Sequence, residues 1–324
     1  MQEAPLYISI FGVSVPAYGV ALAASVLFAL PILFVCLRTK GMGKRLIPIA
    51  LTMLASGMLG SRLLFCAYAL IGEADYMAER GISALWMVHD GGLMMYGALF
   101  AVLIGLSLYS KAMGLKPRKT LDAAAPALCF FVSLARFSEY FTVSTGRMDV
   151  EAEMEGLMLY PFAWENAYGE WVHPIFMFEG IFLILLSVYL LIRLHKKQSA
   201  FWQFLLIYSA AQLIMESLSR YGAPAFGFVK LNMLIAAFTL AVYCIYSIVR
   251  GVRGAWISFG LLAVILGAII GIEFALDKSS VSNALLYALM ALLIVCLSAG
   301  AVRFIGAVES EERRRLNPPS STAA

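Results

Sequence analysis

Long apolar stretches alternate with short polar ones along the whole chain. About 20 apolar residues cross the hydrocarbon core of a bilayer as a helix. By that ruler the pattern predicts nine spans: Tyr18–Leu37, Leu46–Ile71, Leu93–Met113, Leu121–Phe141, Pro174–Leu194, Phe201–Tyr221, Phe228–Val249, Ala255–Leu276 and Ala284–Phe304. The expected fold is all-α, a polytopic membrane helix bundle. Pro5–Pro16 is too short to span and is expected at a membrane interface. After Val308 the chain reads ESEERRRLNPPSSTAA, a polar tail expected to be disordered.

Composition sharpens this reading. The 324 residues are 62% hydrophobic and 14% charged, with mean hydropathy +0.85. Soluble domains carry about 25% charged residues, so a large soluble protein is excluded. The five cysteines, Cys36, Cys66, Cys129, Cys244 and Cys296, all lie in apolar runs without metal-like spacing. They read as small buried hydrophobes. No basic patch interleaved with aromatics suggests nucleic acid, and no metal is expected. The N-terminus has Gln2 and Glu3 in place of a basic region, and no cleaved signal peptide is expected.

Loop charges set the expected orientation. Arg38, Lys40, Lys44 and Arg45 follow the first span, and Lys111, Lys116, Arg118 and Lys119 follow the third. Arg193, Lys196 and Lys197 follow the fifth, Arg250 and Arg253 the seventh, and Arg303 and Arg313–Arg315 lie in the tail. The alternate loops are poor in Lys and Arg. This places the N-terminus outside and the C-terminus in the cytoplasm. Two long loops, Gly72–Gly92 and Thr142–His173, are then external. The second is acidic and aromatic and reads equally as a solvated loop or as a small cap over a site.

The spans are not uniformly apolar. The fourth carries Arg136 and Glu139, three residues apart and able to pair. An arginine near the centre of a lipid-embedded helix costs roughly 2.5–3.5 kcal/mol on insertion scales. Helical spacing puts Cys129, Ser133, Arg136 and Tyr140 on one face. The second span holds Arg62, the fifth Glu179, and the sixth Gln212, Glu216 and Arg220 at four-residue steps. These groups are expected at similar depth in the outer half of the bilayer. Each acid and base could serve only to lock helices together, but so many at one depth favour a polar cavity. Arginines suit a phosphate, whose oxygens match the guanidinium fork. His173 precedes Pro174 at a helix start and reads equally as a capping group or a base.

Several fragments together resemble the prolipoprotein diacylglyceryl transferase family of bacterial inner membranes. Pro16-Ala17-Tyr18-Gly19 and Gly60-Ser61-Arg62 are similar to the family's first- and second-helix motifs. Asp90-Gly91-Gly92-Leu93 followed by Tyr96-Gly97 resembles its DGG stretch, with His89 just before it. Asp122-Ala123-Ala124-Ala125-Pro126 leading to Arg136 resembles the approach to its signature, which ends near Arg147. His173-Pro174 with Phe178-Glu179, Glu216 with Arg220, and Asn232 are similar to its later polar positions. The resemblance covers roughly the first 250 residues.

The resemblance implies a seven-helix core over residues 1–250, an added transmembrane hairpin over 251–305 and a cytoplasmic tail over 306–324. It implies transfer of a diacylglyceryl group from phosphatidylglycerol to the lipobox cysteine of a preprolipoprotein, without a cofactor. Arg136 would hold and polarise the phosphate, with Arg62 and Glu216 supporting the cavity and Tyr18, Glu139 and Glu179 shaping it. Gly91, Gly92, Arg147, His173, Gln212, Arg220 and Asn232 would complete the substrate-binding set. The family's histidine is Tyr96 here, its signature asparagine is Glu139 and its sixth-helix arginine is Gln212. Tyr96 or His89 would then take the thiol proton. A non-catalytic membrane protein that binds lipid or a partner is the alternative. A solute transporter is disfavoured, because no inverted repeat or pair of broken helices is visible.

Overall fold

In the computed structural model the described residues are 7–10, 12–72, 74–87, 92–141, 163–165, 171–172, 174–196, 198–218, 225–226, 229–252, 254–278 and 283–316. The chain opens with an antiparallel hairpin, β1 (Tyr7–Ile10) and β2 (Val13–Pro16), where an interfacial segment is expected. Then come α1 (Ala17–Thr39), α2 (Leu46–Gly72), the short α3 (Ala74–Arg80), α4 (Met95–Ala112), α5 (Pro117–Ser138) and α6 (Ile175–His195). The second half holds α7 (Phe201–Leu218), α8 (Leu231–Val249), α9 (Ala255–Lys278) and α10 (Asn283–Leu316). Two further antiparallel pairs of two residues each occur, Trp164–Glu165 with Trp171–Val172 and Ala225–Phe226 with Val229–Lys230.

The all-α polytopic expectation holds: eight helices among the described residues are long and apolar enough to cross a membrane. The expected sixth span differs. α7 is helical but carries Gln203, Gln212 and Glu216, which dilute its apolarity, and all three side chains are buried. Such groups inside a membrane protein face protein or water. The tail differs too. α10 continues through Glu309 to Leu316, where disorder is expected. In sequence Glu309/Arg313 and Glu311/Arg315 stand at i,i+4, a spacing of opposite charges that favours helix.

Sequence punctuation explains the helix ends. α1, α4 and α8 each close on a glycine, Gly41, Gly114 and Gly251, with φ of 71°, 65° and 69°. In each, this glycine and the residue after it bond back to the end of the helix, as Gly41 N does to Arg38 O (3.0 Å) and Met42 N to Leu37 O (2.7 Å). This is the Schellman arrangement. Pro117 opens α5 at its first position, where a missing N–H costs nothing.

The helices form two compact units, α1–α6 with the opening of α7 at Phe201, and the rest of α7 with α8–α10. In the first, α5 is central: 72% of its apolar stretch is buried, against 22–44% in the other spans. It packs on α1, α4 and α6, and α2 pairs closely with α4. A Cβ on Gly60 of α2 would overlap Ala101 Cβ and the Gly97 carbonyl of α4. Small residues thus bring these two backbones together. Asp122 of α5 takes bonds through Oδ1 from Ser199 Oγ (3.1 Å), Ala200 N (2.8 Å) and Phe201 N (3.0 Å). In the second unit α9 packs on α8 and α10, and Tyr243 contacts Trp202 and Phe304 at ring-centroid distances of 5.5 and 6.0 Å.

Candidate active site

The polar stripe of α5 faces α6. Ser187 Oγ donates to Pro126 O (2.9 Å), Cys129 Sγ to Leu183 O (3.3 Å) and Ser133 Oγ to Gly180 O (2.8 Å). One turn further, Arg136 meets Glu179 of α6, its Nε 2.9 Å from Oε1. Arg136 Nη1 donates to Glu139 Oε1 at 2.8 Å, the expected i,i+3 pair. The stripe then ends. Glu139–Phe141 tightens into a 3-10 turn, and Tyr140 is 60% exposed in place of following Arg136. The guanidinium is held by two carboxylates at the C-terminal end of the most buried span. Its side chain is 19% exposed, so it is braced and still reachable.

Arg62 is different: it is 1% exposed. Its Nε donates to Ala84 O (2.7 Å), Nη2 to Tyr76 Oη (2.6 Å) and Nη1 to Gly92 O (3.4 Å). The guanidinium also lies 5.0 Å from the centroid of the Phe65 ring. A buried guanidinium needs such acceptors, since an unpaired one would carry a large desolvation penalty. Gly92 follows, with φ of 66° and the Phe65 ring where a Cβ would be, 2.6 Å away. Tyr96, in the first turn of α4, is 1% exposed with its ring 6.1 Å from that of Phe100. Tyr18 lies in the first turn of α1, partly buried.

A third group lies in the second unit. Glu216 Oε1 accepts from Asn232 Nδ2 (2.6 Å), and Lys230 Nζ donates to the Glu216 carbonyl (2.5 Å). Gln212, one turn before Glu216, is 1% exposed. His89, Gly91, Arg147, His173 and Arg220 lie outside the described residues.

Two contributors were not legible in the sequence as site residues: Tyr76 and Lys230. Tyr76 falls in a stretch that reads as plain loop, and its partner is 14 residues away. Lys230 could have been suspected from its place two residues before Asn232.

The arrangement defines a class, a multi-pass helical membrane protein with one buried arginine, one arginine braced by carboxylates, and further carboxylates within its helices. The family model for prolipoprotein diacylglyceryl transferase matches residues 5–257, and the chain belongs to that family. Relatives called phosphatidylglycerol–prolipoprotein diacylglyceryl transferase are similar to it. That of Staphylococcus epidermidis is 24% identical over 256 residues, 77% of this chain and 90% of the relative. That of Bacillus cereus is 27% identical over 194 residues, 58% and 71% of the two chains. That of Listeria innocua is 25% identical over 221 residues, 66% and 78%.

Proposed function

We propose that this protein transfers the diacylglyceryl group of phosphatidylglycerol to the lipobox cysteine of a preprolipoprotein, in a bacterial inner membrane. The observation that carries the reading is Arg136, fixed between Glu139 and Glu179 yet 19% exposed, in a chain of this family. In the reaction the cysteine sulfur attacks the glycerol carbon that bears the phosphate. A C–S bond forms, the C–O bond to phosphate breaks, and glycerol phosphate leaves. Negative charge grows on the departing phosphate, where a preorganised cation stabilises the transition state most. Arg136 fills that role, because its planar fork matches phosphate oxygens. The thiol proton passes to a base, for which Tyr96 and His89 are the candidates.

The remaining residues take supporting roles on this reading. Glu139 and Glu179 orient the guanidinium. Glu216, Gln212 and Asn232, and Arg220 beyond them in the sequence, belong to the set by family resemblance. Tyr18, Gly91, Gly92, Arg147 and His173 complete the substrate set that family resemblance supports. Residues 1–250 form the catalytic core on this reading, with 251–305 an added hairpin and 306–324 a cytoplasmic extension.

The test is turnover of phosphatidylglycerol with a lipobox peptide by the purified protein. Arg136→Ala is expected to lower kcat/KM by roughly 100-fold or more, as loss of a transition-state charge partner does. Unchanged rates in that variant overturn the assignment. Tyr96, buried where the family has a histidine, favours one second reading, a lipid-binding relative without chemistry. Phospholipid that copurifies with no turnover by the wild-type protein would select it.

A further inference from the structure

We infer that Tyr76 and Arg62 form a latch that positions the chain entering α4, and that Tyr76 is a positioning residue for the reaction proposed above. Arg62 projects from α2 into the segment between α2 and α4. Its donors reach three separate places there: Tyr76 Oη in α3, Ala84 O in the 3-10 turn Gly81–Leu85, and Gly92 O just before α4. The Tyr76 ring stands edge-on to Phe65 at 5.8 Å, and Phe65 in turn lies against both the guanidinium and Gly92. Ser61 O, beside Arg62, accepts from Met94 N at 3.3 Å.

One buried cation therefore ties residues 76, 84 and 92 to a single turn of α2. A connection with few apolar contacts of its own opens locally at low cost. Here Ala84 is the buried residue of the 3-10 turn, while Ile82 and Trp86 are 82% and 76% exposed. The described 3-10 turn is therefore held by the latch more than by a core of its own. Tyr96 begins one turn after Gly92, and the Asp90-Gly91 pair directly precedes it. Misplacing a catalytic group by about 1 Å can cost on the order of 100-fold in rate. The latch fixes that placement without touching substrate.

The pair also explains why Arg62 is not interchangeable with Arg136 as a phosphate ligand. At 1% exposure, with Nε, Nη1 and Nη2 bonded to Ala84 O, Gly92 O and Tyr76 Oη, it cannot turn to a headgroup without releasing these residues.

The test is Tyr76→Phe, which removes one hydroxyl and keeps the ring against Phe65. Two measurements are made on the full-length protein in detergent or nanodiscs. Hydrogen exchange over residues 81–94 is expected to quicken at least about threefold, with α5 and α6 unchanged. With phosphatidylglycerol and a lipobox peptide, kcat is expected to fall about 10-fold and KM for the lipid to stay within about twofold. Arg62→Lys, which cannot fork to several acceptors, should show the same split more strongly. Unchanged exchange in Tyr76→Phe overturns the latch. Faster exchange with unchanged kcat overturns the positioning role. The inference rests on the transferase reading, and the two failures are separable. Absent turnover in the wild-type protein tells against the transferase, whereas the exchange measurement judges the latch by itself.

Discussion

Arg136 and Arg62 are the same residue type on two helices of one unit, α5 and α2, yet their surroundings assign them different work. Arg136 has carboxylate partners and 19% exposure; Arg62 has carbonyl, phenol and ring partners and 1% exposure. Glu179 is the firmer of the two braces on Arg136, since its side chain is 5% exposed against 11% for Glu139. Breaking a buried pair leaves a charge without compensation and destabilises by roughly 3–5 kcal/mol. Glu179→Ala is therefore expected to lower the melting temperature and to remove turnover, while Glu139→Ala costs less in both. Equal losses in the two variants, followed by thermal melting and peptide lipidation, would contradict this ranking. At Gly92 the backbone itself sets the limit. With φ of 66° and Phe65 in contact range, Gly92→Ala is strained twice over.

At the scale of elements, contacts between spans decide what spacing alone leaves open. Cys129, Ser133 and Arg136 are readable as one face of a helix, and they are one face in the structure. Their partners, the Leu183 and Gly180 carbonyls and Glu179, were not readable, because nothing local in α5 names the helix that α6 becomes. α-helical spacing groups Tyr140 with them, but the 3-10 turn at Glu139 tightens the rotation and carries it out to 60% exposure. The apolar runs revealed the spans for the same reason that the orientation of Arg62 was hidden. Hydropathy is a sum over neighbours, whereas a buried guanidinium is satisfied by carbonyls that every residue owns. The small residues of α2 make the strongest prediction at this scale. Gly60 and Gly97 each occupy space where the other's helix would reject a Cβ, and the obstacles are backbone and Cβ atoms that cannot swing away. Gly60→Val is expected to force α2 and α4 apart and to destabilise by about 1–3 kcal/mol. Thermal melting in detergent checks this, with Gly19→Val as the comparison, because a Cβ at Gly19 meets nothing within 4 Å.

For the whole molecule the open quantity is its orientation, and the charge pattern commits to one. Within the first unit, α5 separates two polar ends: Lys116, Arg118 and Lys119 open or precede it, and Arg136 stands near its close. Arg118 and Arg136 are 18 residues apart, about 27 Å along a helix rising ~1.5 Å per residue. That is close to the ~30 Å of a hydrocarbon core. If the lysine-rich end is cytoplasmic, as positive loops favour, Arg136 faces the outer leaflet, where a lipoprotein precursor emerges. α10 adds an independent marker. Its 34 residues make about 51 Å of helix, longer than the core, so the helix has more length than one crossing uses. Single cysteines placed in a background with the native ones changed to alanine can report this. Ile82→Cys, at a position 82% exposed, is expected to react with a membrane-impermeant maleimide in intact spheroplasts. Lys116→Cys and Ser310→Cys, both at exposed positions, are expected to react only after lysis. The opposite pattern would place Arg136 on the cytoplasmic side, away from any exported cysteine, and would remove the transferase reading together with the orientation.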